Sequence, residues 1–235
     1  MDRKVLISIT GTTCAGKSTL LKAIQNASDD VFIIPQVTTR QARSDDDPEL
    51  IKHTNVFHQE DMFLYNKELS YGIEKNDINR FLLSDKTYAV AINGSDEIEM
   101  TRSRVLPSLQ YKNILLTFAD SYEAEISALS KHLKTAFSPE NYNKRMNFYS
   151  QHIKEKLLHP DFVEQNIDLH LTRAMSPSVW SLKTAKLLQI NPHDLYKSLC
   201  KEIQIQPVMK KYVNPEVASM LGQIISSLQH NKKQI

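Results

Sequence analysis

Two cysteines are all the chain has, and Cys14 and Cys200 share no metal-ligand spacing with each other or with the eight histidines. A disulfide framework and a zinc site are therefore excluded as the basis of the fold, and a reducing, cytoplasmic setting is expected. Long apolar runs are also missing. No stretch approaches the roughly 18 residues of a membrane span, and the six residues between Lys4 and Gly11 are too few for the apolar core of a signal peptide, so no membrane association is expected. An excess of one charge is lacking too: 29 Lys and Arg oppose 27 Asp and Glu, for a net charge of +2. That balance gives no reason to expect a surface that coats nucleic acid, although a local basic patch leaves nucleic acid open as a partner. Neither H-E-x-x-H nor G-x-S-x-G occurs, which removes the usual starting signals of zinc proteases and Ser-His-Asp hydrolases.

What is present is ordinary globular composition, 41% hydrophobic and 24% charged over 235 residues, enough for one large domain or a domain with an appendage. Glycine is the informative scarcity. Only five occur, at 11, 16, 72, 94 and 222, and two of these lie five residues apart in Gly11-Thr12-Thr13-Cys14-Ala15-Gly16-Lys17-Ser18, which fits G-x-x-x-x-G-K-[ST]. The apolar run Val5 to Ile9 before it predicts a buried strand, and Ser18 to Ile24 after it has helical spacing of apolar residues. In that setting the glycines let the backbone wrap a polyphosphate, with its N–H groups and the helix N-terminus aimed at the anion. Lys17 is placed to supply a mobile charge for the β- and γ-phosphates, and the Ser18 hydroxyl to coordinate Mg²⁺. The stretch from Gly11 to Thr19 (Gly11, Thr12, Thr13, Cys14, Ala15, Gly16, Lys17, Ser18, Thr19) is thus the expected ATP site. Cys14 reads as a small loop filler.

Helix starts are legible where Ser or Asn precedes Pro, at Ser138-Pro139, Ser176-Pro177, Asn191-Pro192 and Asn214-Pro215. They predict helices at about 139–158, 177–189, 192–203 and 215–229, and periodicity adds others at about 17–26, 59–66, 77–84, 96–105 and 121–134. Strands are expected at about 4–9, 31–35, 87–92, 113–118 and 167–171. Strands alternating with helices imply an α/β fold with a parallel sheet wrapped by helices. From residue 191 onward six Lys oppose three acids, so the tail is the basic part; its helices can pack on the domain or on a second copy of the chain, a possible homodimer.

Beyond the loop, Val37-Thr38-Thr39-Arg40-Gln41-Ala42-Arg43 resembles the T-T-R-x-x-R signature of guanylate kinases. Leu69-Ser70-Tyr71-Gly72 is similar to that family's Tyr-Tyr-Gly segment, and Lys86 to Asn93 to its third sheet strand. Leu106-Pro107-Ser108-Leu109 with the strand after it also matches. Ser138 to Met146 looks like the lid helix T-x-E-x-x-x-x-R-[LM], and Asp161 to Asn166 like the last core strand's F-D-x-x-x-x-N. The resemblance runs from about residue 4 to 190. It implies a P-loop NTPase fold with a five-stranded parallel core sheet, in which residues 1–190 form the kinase domain and 191–235 a helical extension. An acceptor-binding insert would lie at about 36–84 and a lid at about 131–158. It further implies that Arg40, Arg43 and Tyr71 hold an acceptor phosphate, where guanidinium forks can grip bidentately. Arg145 would act on the transferring phosphoryl group, helped by Lys131 or Lys134.

Departures from the pattern fall on the base-reading side. Gln36 stands where the family has a small Ser, Asn55 replaces a Tyr, and between Phe63 and Tyr71 the chain is shortened, with no evident counterpart of the Glu that reads guanine. Ala91-Ile92-Asn93 replaces Asp-x-Asp, with Asp45-Asp46-Asp47 as a conceivable substitute. Gln36, Asn76 and Asn93 are then the polar side chains expected to face the acceptor. The expected function is ATP- and Mg²⁺-dependent phosphoryl transfer to a nucleoside monophosphate or nucleotide-like acceptor. The alternatives are a kinase of a modified nucleotide, a base in DNA or a ribose phosphate, or an inactive guanylate-kinase-like binding module.

Overall fold

In the computed structural model, residues 4–42, 47–66, 71–94, 101, 109–136 and 138–205 are described. β1 (Lys4–Gly11) is buried at every interior position, because it is the central strand of a sheet covered on both faces. It leads through the glycine loop into α1 (Lys17–Ala27) and β2 (Val31–Ile34). Later in the chain β7 (Tyr88–Ile92), β8 (Leu109–Thr117) and β9 (Leu169–Thr172) complete a five-stranded sheet of order β2-β7-β1-β8-β9. Every pairing in it is parallel. The expected α/β class, five-stranded parallel sheet and strand–loop–helix arrangement of P-loop NTPases are all present.

Period-two alternation sorts the strands' side chains between the two helical layers. Val5, Ile7 and Ile9 pack with α1, α6 (Pro177–Leu188) and α7 (Pro192–Ile205), whereas Leu6 turns to the opposite layer with Ile78 and Phe81 of α2 (Lys75–Leu83). Leu115 of β8 joins a third cluster with Leu129 and Leu133 of α3 (Tyr122–Ala136) and with Ile153 and Leu157 of a π-helical turn that continues α4 (Pro139–His152). Leu195 and Leu199 place α7, the first helix beyond residue 190, within the main core against α1.

The segment between β2 and α2 forms a second sheet of order β4-β3-β6-β5. Its strands are β3 (Gln36–Thr38), β4 (Ile51–His53), β5 (Met62–Asn66) and β6 (Tyr71–Glu74). The helix expected at 59–66 is corrected here: only Gln59–Asp61 forms a 3₁₀ turn, and Met62–Asn66 is a strand paired with β6. Met62 and Leu64 are buried and Phe63 half-buried, an alternation that outweighs helical spacing once a partner strand is present. The likeness of Asp161–Asn166 to a core strand is likewise corrected. This is α5 (Pro160–Asn166), started by Pro160 and burying Phe162 and Asn166 at i,i+4, and the last strand begins at Leu169. Of the predicted Ser/Asn caps, the Ser176 and Asn191 side chains accept from Val179 and His193 amides at 3.4 and 2.9 Å, while Ser138 makes no such bond. The helices expected at 215–229 and, apart from Thr101, at 96–105 lie outside the described residues, as does the Leu106-Pro107-Ser108 match. Among the described residues no helix is long and apolar enough to cross a membrane.

Candidate functional site

The glycine loop leaves β1 at Gly11, whose φ of 139° is left-handed territory. A Cβ there would lie 1.8 Å from the Leu116 carbonyl oxygen, so the residue is glycine because β8 passes against it, and not only to admit a ligand. Cys14 and Gly16 also have positive φ, 62° and 105°, and a Cβ on Gly16 would press within 3.2 Å of the Trp180 ring. Thr12, Ala15 and Thr19 are buried. Their side chains belong to the scaffold, so only their main-chain N–H groups suit an anion. Cys14 and Ser18 are exposed, and Gly11, Thr13, Gly16 and Lys17 are half-buried.

The Lys17 ammonium donates to the carbonyls of Gly11 and Thr12 at 3.0 and 2.7 Å. Desolvation lowers its pKa from 10.5 to about 8; Cys14 acts in the opposite sense and the Arg145 charge in the same one. A cation carried at such a cost has its natural counterion in a bound anion.

One buried acid braces this loop, and the sequence reading missed it. Glu125, fully buried on the first turns of α3, accepts the Thr12 hydroxyl on Oε1 at 2.8 Å and the Phe118 and Ala119 amides on Oε2 at 2.6 and 2.7 Å. Burial pushes its carboxyl pKa up, against the opposing pull of those three hydrogen bonds. An acid early in a helix ordinarily signals only the helix dipole, so no sequence signal marks this tie.

From α4, Arg145 donates to the Thr13 hydroxyl at 3.2 Å. Tyr149 lies one turn on; burial raises its pKa, while Thr13 and the Arg145 charge lower it. Lys131 and Lys134 are exposed, the latter with its ammonium 5.7 Å from the Tyr142 ring centre. Arg173, not foreseen, donates to the Cys14 carbonyl at 3.2 Å.

A second group of residues begins where β2 ends, at the same carboxyl edge of the parallel sheet from which the loop departs. Arg40 Nε donates to the Tyr71 hydroxyl oxygen at 2.7 Å, and the His53 Nδ1 lies 3.1 Å from the Arg40 carbonyl. Thr39, Arg40, Gln41, Ala42, His53, Thr54 and Asn55 line a cavity of about 470 Å³. Arg43, Asp45 and Asp46 lie outside the described residues. Asp47 is committed elsewhere: it pairs with Lys22 of α1 at 2.7 Å and accepts the Glu49 amide at 2.9 Å, and Lys22 is the leading cause that lowers its pKa. Gln36 opens β3, half-buried with its main-chain N–H donating to the Leu50 carbonyl at 2.9 Å, and Asn76 is exposed on the first turn of α2. Neither is in the cavity wall.

Two carboxylates do occur near Asn76, but Lys52 holds both, Asp77 at 2.6 Å and Glu74 at 3.2 Å, and Arg80 adds a 3.2 Å contact to fully buried Asp77. Burial alone would lower the Lys52 pKa; the two carboxylates outweigh it and hold it above the ordinary value. Strand alternation puts Lys52 and Glu74 on the face of the small sheet away from His53 and Tyr71. Asn93, directly after β7, is 3% exposed and donates to Ser8 Oγ at 2.6 Å; Tyr111 donates to the same oxygen at 2.9 Å. Asn93 Oδ1 and the Thr10 hydroxyl are buried with no hydrogen-bond partner among the described residues. Also among these residues, no group of three or more His, Cys, Asp or Glu is arranged to hold a metal.

No protein-family model matches the sequence, and no curated protein matches it. Among solved structures the chain is similar to the guanylate kinase from Anaplasma phagocytophilum, at 14% identity over 80% of this chain and 86% of that one, with a TM-score of 0.46.

Proposed function

We propose that the chain transfers the γ-phosphate of ATP, with Mg²⁺, to a phosphorylated, nucleotide-like acceptor. The observation that carries this reading is the pairing of two cationic sites at one edge of the parallel sheet: Lys17 in the glycine loop, and Arg40 held by Tyr71 beside a polar cavity. Ligands of open α/β sheets bind outside the carboxyl ends of the strands. Phosphoryl transfer between two anions is chiefly positioning and charge neutralisation, which needs a cradle for each partner.

In this reading the loop amides and Lys17 bind the triphosphate, and Arg145 on the lid helix stabilises charge on the group in flight. Arg40, with Tyr71 fixing its fork, holds the acceptor phosphate, and Arg43 assists. Mg²⁺ fits the residues present, since it takes most of its ligands from phosphates and water. The exposed Ser18 hydroxyl would ligate it, and Asn93 Oδ1, which has no hydrogen-bond partner among the described residues, would hold one of its waters. Bound there, the ion supplies charge neutralisation across the phosphates.

The acceptor is not GMP in preference to others. The Glu74 and Asp77 carboxylates are tied to Lys52, which alternates to the face of the small sheet away from Tyr71. Gln36, outside the cavity wall at the start of β3, has a side-chain amide that can present both a donor and an acceptor to a base edge. A modified deoxynucleotide, a base in DNA or a ribose phosphate is the narrower alternative. Two observations favour a second reading, a nucleotide-binding module without turnover: neutral Asn93 directly follows β7, and Asp47 is committed to Lys22. Release of ADP measured over all ribo- and deoxynucleoside monophosphates, with single- and double-stranded DNA included, tests both. Turnover is expected with at least one acceptor other than GMP. A flat response with ATP binding intact would establish the binding module, and a preference for GMP above tenfold over every other acceptor would overturn the specificity.

A further inference from the structure

Arg173 brings a third cation to the glycine loop, from an element that neither the loop motif nor the lid supplies. It directly follows β9, and its mount is rigid. Its amide donates to the Thr117 carbonyl at 2.9 Å, extending the β8–β9 ladder by one residue. One residue earlier, the Thr172 carbonyl accepts the buried Trp180 indole N–H at 2.9 Å, and the Trp180 ring abuts Gly16 at the far end of the loop. The guanidinium lies 4.8 Å from the centre of the Phe118 ring, whose centre is in turn 5.5 Å from that of His132. From this seat Arg173 Nη1 reaches the carbonyl of Cys14, the exposed, left-handed residue of the loop, at 3.2 Å.

Two guanidinium groups therefore contact adjacent residues of one loop, Arg145 at Thr13 and Arg173 at Cys14, and the Lys17 ammonium contacts the Gly11 and Thr12 carbonyls of the same loop. Among the described residues the carboxylate bonded to the loop is Glu125, fully buried and engaged by Thr12 and two amides. Two guanidinium forks and an ammonium around a single loop suit a polyphosphate, since the bonds to the Thr13 hydroxyl and the Cys14 carbonyl can be exchanged for charge-assisted ones. We propose that Arg173 is a further polyphosphate-binding residue, gripping the donor's phosphates at the Cys14 side of the loop while Arg145 acts at the Thr13 side. The assignment rests on reading the loop as a triphosphate site.

Calorimetric titration of the full chain and of Arg173→Gln and Arg173→Lys, with ATP and separately with inorganic tripolyphosphate, tests it. In Arg173→Gln both affinities should fall by a similar factor, roughly tenfold to a hundredfold, the range expected for a lost hydrogen bond to a charged group. Arg173→Lys should recover part of the loss, and thermal midpoints should stay level. Wild-type binding of both ligands with an unaltered Arg173→Gln would remove this proposal alone. A loss for ATP without one for tripolyphosphate would place the guanidinium on the base and overturn it, and an equal loss in Arg173→Lys and Arg173→Gln would reduce the residue to a brace for the loop. Failure of the wild-type chain to bind either ligand would remove the triphosphate site itself, and the proposal with it.

Discussion

Replacing Lys17 by Met should leave the free protein at least as stable at neutral pH while removing most of the proposed turnover with ATP. In the folded chain the Lys17 pKa is lowered from 10.5 to about 8, mainly by burial. At 1.36 kcal/mol per unit, the charged form then costs the fold at most on the order of 3 kcal/mol. Below pH 8 both states carry the proton and the whole penalty is present. Between about pH 8 and 10.5 the unfolded chain binds more protons than the folded one, so the wild type gains stability as the pH rises. Methionine keeps the length of the stem and carries no charge. It forfeits the bonds to the Gly11 and Thr12 carbonyls, an offset of about 1 to 2 kcal/mol. Lys17→Met should therefore match the wild type or exceed it by about 1 to 2 kcal/mol at pH 7. The difference should move toward the wild type's favour as the pH approaches 10. Urea unfolding of both proteins at pH 7 and 9.5 measures this. In the same variant turnover should fall by about 10² or more, the scale for losing a preorganised electrostatic stabiliser. A variant less stable by 2 kcal/mol at both pH values, or one with near wild-type turnover, would refute the reasoning.

Arg40→Ala should weaken acceptor binding by about 1.5 to 3 kcal/mol and leave ATP affinity unchanged in separate titrations. Tyr71→Phe, which removes the oxygen that fixes Arg40 Nε, should lose about 1 kcal/mol on the same side. Gly11→Ala should cost about 3 kcal/mol or more in chemical denaturation, because its methyl would displace the Leu116 carbonyl; a loss below 1 kcal/mol would show that β8 yields easily. Glu125→Ala strands the Phe118 and Ala119 amides and should cost about 2 to 4 kcal/mol, whereas Glu125→Gln, which can accept from the amides and donate to Thr12, should keep most of that stability. Equal losses in the two variants would exclude the hydrogen bonds as the cause.

The sequence by itself determined the strand, the glycine loop and the helix from Lys4 to Ala27, because the loop's chemistry resides in residues that are neighbours in the chain. Alternating strand and helix patterns were enough for the parallel sheet, since the hydrophobic period reports local geometry. The insert was misread at 59–66 because a strand declares itself only when its partner is known, and β5 acquires its period-two burial from pairing with β6. The commitment of Asp47 to Lys22, and of Glu74 and Asp77 to Lys52, was equally invisible: a carboxylate's type shows what it can bind, and only packing decides what it does bind. What supports the loop came from the tertiary structure alone. Glu125 is 113 residues from Thr12 and Arg173 is 159 from Cys14, and Gly11 owes its missing side chain to a strand that arrives a hundred residues later. Hydrogen bonds of such separation leave no period or spacing in the chain, because they are set by where the sheet order places β8, β9 and α3 around β1.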